Sequence, residues 1–130
     1  MINWQDYAPY FKESEFRCKH TGISKMDKEF MDILLQIRKE YGKPMVITSG
    51  YRHPTHPIEV RKGGVSGEHT TGRCADIACG PEDAFRLMII ALMYGITRIG
   101  VQQKGDINTR FLHLGIGAPG LPNRVVWSYP

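Results

Sequence analysis

From residue 24 onward the spacing of hydrophobic positions divides the chain into recognisable elements. Phe30, Ile33, Leu34, Ile37 and Tyr41 recur at intervals of three and four, the period that lines one face of an α-helix. Ser24 with Asp27 three residues on resembles a capping box with Asp in place of Glu. Gly42 suits the position just past the last turn, and Pro44 forbids continuation. A second helix is predicted from Pro81 to about Tyr94. Pro81, Glu82 and Asp83 suit its positive end, Phe85, Met88, Ile89 and Leu92 share a face, and Gly95 ends it. Residues 45–48, 73–79, 97–102, 110–114 and 124–128 read as short strands. Residues 97–102 and 110–114 are joined by a polar turn containing Gly105 and Asp106. The segment 1–23 has no period, and Tyr7, Tyr10, Phe11 and Phe16 are expected to pack it onto the core. Residues 49–72 carry five glycines and two prolines without periodicity. A loop of that length in a compact domain is usually functional or disordered. This order of elements predicts an α+β domain, a small antiparallel sheet with helices packed on it.

With 130 residues, the expectation is one domain spanning 1–130. Hydrophobic residues at 42% and charged residues at 23% argue against disorder and coiled coil. The longest aliphatic run, Leu87 to Met93, is far below the ~20 residues of a membrane span, so no membrane partner is expected. The N-terminal segment carries acids and no apolar h-region. The expectation is synthesis in the cytoplasm, with any outside site of action reached by another route. Lys and Arg number 17 against 13 Asp and Glu, a net charge of +4. The cations are scattered rather than clustered with aromatics, which argues against a nucleic-acid partner. The three cysteines, Cys18, Cys74 and Cys79, are odd in number and lack a Cys-x-x-Cys spacing, so neither a disulfide framework nor a four-cysteine zinc site is expected. Any metal must rest on histidines and carboxylates. With no heptad or exposed apolar stripe, the expected state is a monomer.

The chemistry concentrates in residues 66–77, Ser-Gly-Glu-His-Thr-Thr-Gly-Arg-Cys-Ala-Asp-Ile. His69 and Asp76, seven apart, fit a histidine at the end of a loop and an aspartate on the following strand, with Gly72 turning the chain between. Imidazole nitrogen and carboxylate oxygen are both zinc donors. His113 lies in Phe111-Leu112-His113-Leu114, where alternation puts its ring opposite the two leucines. Taken alone, His113 is either a satisfied core histidine or a ligand. Cys74 alternates with Asp76 and reads as a buried hydrophobe. His53 and His56, three apart in a proline-restrained segment, do not converge readily and read as loop histidines.

Ser49-Gly50-Tyr51-Arg52-His53-Pro54, then Gly63-Gly64, then Ser66-x-x-His69-x-x-Gly72-x-x-Ala75-Asp76-Ile77, and finally Phe111-Leu112-His113-Leu114 together resemble the zinc D-Ala-D-Ala carboxypeptidases and related murein endopeptidases. The small single-domain members of bacteriophages and prophages are the most similar in flavour. The resemblance implies a hedgehog-like DD-peptidase fold and one zinc ion held by His69, Asp76 and His113, with a fourth position open to water. It implies a peptidoglycan peptide as substrate and hydrolysis of a peptide bond by a water activated on the metal. Arg52 matches the arginine of the family's Ser-Gly-Tyr-Arg and is expected to grip a substrate carboxylate or carbonyl oxygen. Ser66 either orients a ligand or touches substrate, or caps a turn.

Two departures bear on catalysis. Zinc peptidases need a general base. Many relatives place an acid three residues before the last histidine, where this chain has Arg110. Many small phage members read His-x-Asp, where this chain has Gly115. Hedgehog-like relatives carry an acid further upstream, which makes Asp106 the candidate base here. Glu68 is the reserve, with its side chain expected to point away from the metal if His69 points in. The alternative to a peptidase is a catalytically silent zinc-binding module of the same fold that recognises murein or serves in a phage particle.

Overall fold

Asp27 starts the first long helix, α1 (Lys28–Tyr41), by accepting a hydrogen bond from Phe30 N at 3.0 Å. The cap is therefore Asp27 and not the Ser24 end of the expected capping box, because the chain at Asp27 is still extended. Gly42, left-handed at φ 80°, closes the helix. Phe30, Met31, Leu34, Ile37 and Tyr41 are buried along one stripe. The computed structural model describes residues 1–62 and 67–130. Gly63, Gly64 and Ser66 of the sequence motifs lie outside the described residues.

The strands are β1 (Val46–Ser49), β2 (Cys74–Ala78), β3 (Arg98–Gln102), β4 (Phe111–Gly115) and β5 (Val125–Ser128). They form one sheet in the order β1-β2-β4-β3-β5. The first three pairings are antiparallel, but β5 runs parallel to β3. The sheet is thus mixed, a correction to the expected antiparallel one. The chain between Gly115 and Val125 crosses to the outer edge of β3 instead of turning back beside β4. A one-turn helix, α2 (Pro57–Val60), capped by His56, interrupts the long loop. A 3-10 turn, Glu68–Thr71, leads into β2.

Alternation sorts the two central strands. Ala75, Ile77, Leu112 and Leu114 are fully buried in the core with Ile99, against α1 and α3 (Pro81–Met93). Cys74, Asp76 and His113 occupy the opposite face. In α3 the packed residues are Ala84, Leu87, Ile90 and Ala91. Of the expected face Met88 packs against the core, but Phe85 is 70% exposed, and Ile89 and Leu92 are exposed too. From Ala84 to Met93 the helix carries a single charged residue, Arg86, so periodicity could not select a side. These exposed residues also correct the expectation that no apolar stripe reaches the surface.

The N-terminal arm packs as anticipated through Tyr7, Phe11 and Phe16, while Tyr10 stays exposed under the Arg38 guanidinium and Lys39 ammonium. Tyr51 N donates to Phe16 O at 2.9 Å, which fixes the start of the long loop. All three cysteines are free, with Cys18 and Cys74 buried.

Candidate metal centre

Two backbone hydrogen bonds bring the site's segments together. Arg52 N donates to His69 O at 3.1 Å, and Asp27 N donates to Gly72 O at 2.9 Å. Gly72 is left-handed (φ 72°), and a Cβ there would lie 2.0 Å from Lys25 O. Only glycine suits that close approach. Arg73 reaches Asp27 and Glu29 on α1 and the carbonyl of Gly117. The turn carrying His69 is thereby clamped between α1 and the sheet.

Asp76 and His113 are direct cross-strand partners on β2 and β4. His113 Nδ1 lies 3.0 Å and His69 Nε2 lies 3.3 Å from the same oxygen, Asp76 Oδ1. Two donors about 2.1 Å from one tetrahedral zinc stand roughly 3.4 Å apart, so the spacing fits a shared ion. The far nitrogens have hydrogen-bond partners of their own. His69 Nδ1 is 2.8 Å from Gly50 O, a carbonyl that can only accept, so the proton sits on Nδ1 and Nε2 offers its lone pair to the site. His113 Nε2 is 2.7 Å from Glu68 Oε1. Lone pairs from three buried residues therefore converge with no donor between them. A proton on each imidazole, or one shared cation, satisfies them.

Burial pushes the Asp76 carboxyl upward, but hydrogen bonds and charge from His113 and His69 outweigh it and hold the group far below the ordinary carboxylate range. Burial draws the His113 imidazole down, and the carboxylates of Asp76 and Glu68 more than reverse this. His69, Cys74 and His113 also form a buried group whose ligand atoms lie within 4.8 Å of one another. Burial, with Glu68 and Asp76 nearby, pushes the Cys74 thiol well up. Asp76 Oδ1 faces both imidazole nitrogens at 3.3 Å or less, and a carboxylate oxygen is an ordinary zinc donor, so Asp76 suits the third position. Among the described residues the donor set thus fits one zinc.

These side chains open into a cleft of about 460 Å³, also lined by Arg52, Lys62, Glu68, Arg98, Trp127 and Tyr129. Arg52 Nη1 donates to Glu59 Oε2 at 3.2 Å and Nη2 donates to Ser49 Oγ at 3.3 Å. Glu59 is only 3% exposed. It also accepts from Lys62 Nζ, Gly67 N and Thr70 Oγ1. Burial would raise its carboxyl, but these donors bring it down to about 2. The Trp127 ring lies tilted against the His113 ring with centroids 5.0 Å apart, and the Arg98 guanidinium sits over the Trp127 ring at 5.1 Å. Gly100, the β3 partner of His113, makes room for this: a Cβ there would meet the Trp127 ring at 2.7 Å.

The chain matches the family model Peptidase M15 over residues 9–114. It belongs to the peptidase M15 family. Comparison with curated proteins finds no match. M15 peptidases are zinc-dependent, which agrees with the donor set of the cleft.

Not every residue expected to serve an M15 reaction reaches the cleft. Asp106 is exposed, and its carboxylate accepts from Asn108 N at 2.9 Å, capping its own turn. That turn projects beyond Gln102 and Phe111, the ends of β3 and β4, and the structure does not bring Asp106 to the cleft wall. Arg110 is occupied by the carbonyl of Gly105. Glu68 departs from expectation in the other direction. It is buried on the site side, because in a 3-10 turn neighbours do not point to opposite faces as they do in a strand. Sequence reasoning missed Glu59, Arg98 and Trp127 as site residues. Strand alternation puts Arg98 and Gly100 on one face and was a usable signal. Glu59 sits in an aperiodic loop and left none.

Proposed function

We propose that this protein is a zinc peptidase that hydrolyses a peptide bond in the stem peptides of bacterial peptidoglycan. The observation that carries the reading is the meeting of His69 Nε2, Asp76 Oδ1 and His113 Nδ1 within 3.3 Å around one carboxylate oxygen, at the floor of an open cleft. His69, Asp76 and His113 would hold the ion, which supplies Lewis acidity toward a water nucleophile and a peptide carbonyl. Gly50 O and Glu68 keep the far nitrogens protonated and so aim the near ones. Arg52 presents a guanidinium already oriented by Glu59 and Ser49, a fork suited to a substrate carboxylate or the carbonyl oxygen that gains charge. Lys62 and Arg98 add positive charge to the wall, while Phe111, Trp127 and Tyr129 supply apolar surface. A short peptide bearing free carboxylates, as stem peptides do, matches that lining. Ser66 is proposed as a substrate-side residue of the same loop. The place of action is the cell wall, reached through a phage lysis system or as part of a virion.

A second reading has one specific observation behind it. Among the described residues, the carboxylates lining the cleft are Glu68 and Asp76, and both are engaged. A metal-bearing, murein-recognising module without hydrolysis would have this wall. Digestion of purified sacculi with mass analysis of the released products separates the two. Fragments that appear with the zinc-loaded protein, vanish with a chelator and return with zinc establish the peptidase. Sacculus binding without fragments establishes the module.

A further inference from the structure

Glu68 is a buried carboxylate that the donor set does not include, and one of its oxygens faces the His113 ring. Its Oε1 lies 2.7 Å from His113 Nε2 and 2.8 Å from Arg98 Nε, and its Oε2 accepts from Gly117 N at 2.8 Å. Its side chain is 3% exposed. A Cβ built on Gly115 would fall 2.0 Å from Glu68 Oε2, 2.6 Å from Cδ and 2.8 Å from Oε1. Residue 115 follows His113 by two on β4, so it shares the face of the His113 ring. The Glu68 carboxylate, arriving from the turn before β2, fills the volume that a side chain at 115 would take.

We propose that Glu68 is the positioning residue of this centre: its carboxylate holds the His113 ring as the Nε2–H tautomer with Nδ1 turned to the metal, in the space left by Gly115. The proposal rests on the reading of His113 as a metal ligand. A carboxylate behind a metal-bound imidazole fixes ring orientation and raises ligand basicity. Arg98 Nε and Gly117 N also donate to the Glu68 carboxylate and hold it away from the ion. The geometry also says where the same carboxylate could be supplied from. An aspartate's Cβ-to-oxygen span is about 2.4 Å, close to the 2.8 Å from the Gly115 Cβ position to Glu68 Oε1. An aspartate at 115 would place an oxygen near that of Glu68, provided Glu68 were absent.

The test uses the full chain, zinc alone as the probe, and a competing chelator to read affinity. Glu68→Ala is expected to weaken zinc binding by about 10–100-fold. Gly115→Asp alone is expected to weaken it as well, because the two carboxyl groups would overlap. Glu68→Ala with Gly115→Asp is expected to bind within about tenfold of the parent protein, as relocation of a hydrogen-bonded carboxylate should. In the zinc-loaded, 15N-labelled protein, the His113 Nε2–H proton should be visible in the parent and the double variant and lost in Glu68→Ala. If Glu68→Ala does not fold, Glu68→Gln takes its place. Its amide oxygen can still accept from His113 Nε2–H but is a weaker acceptor than a carboxylate, and its NH2 then faces Gly117 N–H, so a smaller fall in affinity is expected. Undiminished affinity in the single variant, or a double variant no better than Glu68→Ala, overturns the positioning role while leaving the ligands in place. A parent protein that takes up no zinc overturns the ligand reading itself, and this proposal with it.

Discussion

Glu59→Gln isolates the ion-pair hub that holds Arg52. Glu59 Oε2 accepts from Arg52 and Lys62, and Oε1 accepts from Gly67 N and Thr70. An amide of the same shape must point its NH2 at one of these pairs of donors, leaving buried donors unsatisfied. The fall of the Glu59 carboxyl from 4.5 to about 2 corresponds to about 3 kcal/mol of stability at neutral pH. Lys62 is the more exposed partner, and screening trims its share, which leaves roughly 2–3 kcal/mol. For a chain of this length that amounts to a drop in Tm of about 7–11 °C. The sign follows from a depressed carboxyl. The stabilisation is fully present above pH 4.5, the unfolded value, and is lost as pH falls toward 2. Urea unfolding of both proteins at pH 7, 5, 4 and 3 reads the difference directly. The gap should be widest at pH 7 and 5 and about half as large at pH 3. A gap below about 0.5 kcal/mol at pH 7, or one that does not narrow in acid, refutes the hub.

Asp76→Ala should abolish stoichiometric zinc uptake, measured by metal analysis after gel filtration, because it removes the oxygen shared by both imidazoles. Arg52→Lys should leave zinc content unchanged and reduce hydrolysis of sacculi by at least tenfold, since an ammonium cannot reproduce the fork. Loss of zinc instead would place Arg52 among the structural residues. Leu87→Ala should cost about 2–5 kcal/mol, and Phe85→Ala within about 0.5 kcal/mol of nothing, in the same urea assay. Equal costs would contradict the observed packing of α3. Gly72→Ala should lower stability by about 2 kcal/mol or more, from left-handed strain and the collision with Lys25 O, read as a shift in thermal midpoint.

The parts of the fold that punctuation controls were legible in the sequence. Gly42, Pro44, Pro81 and Gly95 bracket α1 and α3 because they act on the local backbone, and strand alternation placed His113 away from Leu112 and Leu114 correctly. What depends on distant contacts was not legible. Nothing local says that Val125–Ser128 joins β3 in parallel, and α3 offers apolar residues on every side, so its packed face is decided by the sheet it meets. The candidate site shows the same division. The three donors came from the resemblance of the segments around His69, Asp76 and His113 to the zinc D-Ala-D-Ala peptidases; residue type and spacing alone left His113 open between core histidine and ligand. The vacancy at Gly115 was visible, but the group that fills it belongs to a 3-10 turn nearly fifty residues earlier, whose geometry overrides the in-out rule that had turned Glu68 away. Asp106 was the candidate because hedgehog-like relatives carry an acid upstream of the last histidine, yet here it caps its own turn between β3 and β4, away from the cleft lining.

The direct pairing of Asp76 with His113 across β2 and β4 has a consequence for how the chain assembles. Were β4 to slip by one residue, the imidazole would turn inward among the helices and a leucine would come to face the aspartate. Only the correctly zipped sheet presents both side chains together, so an ion held by both would favour the native alignment by mass action.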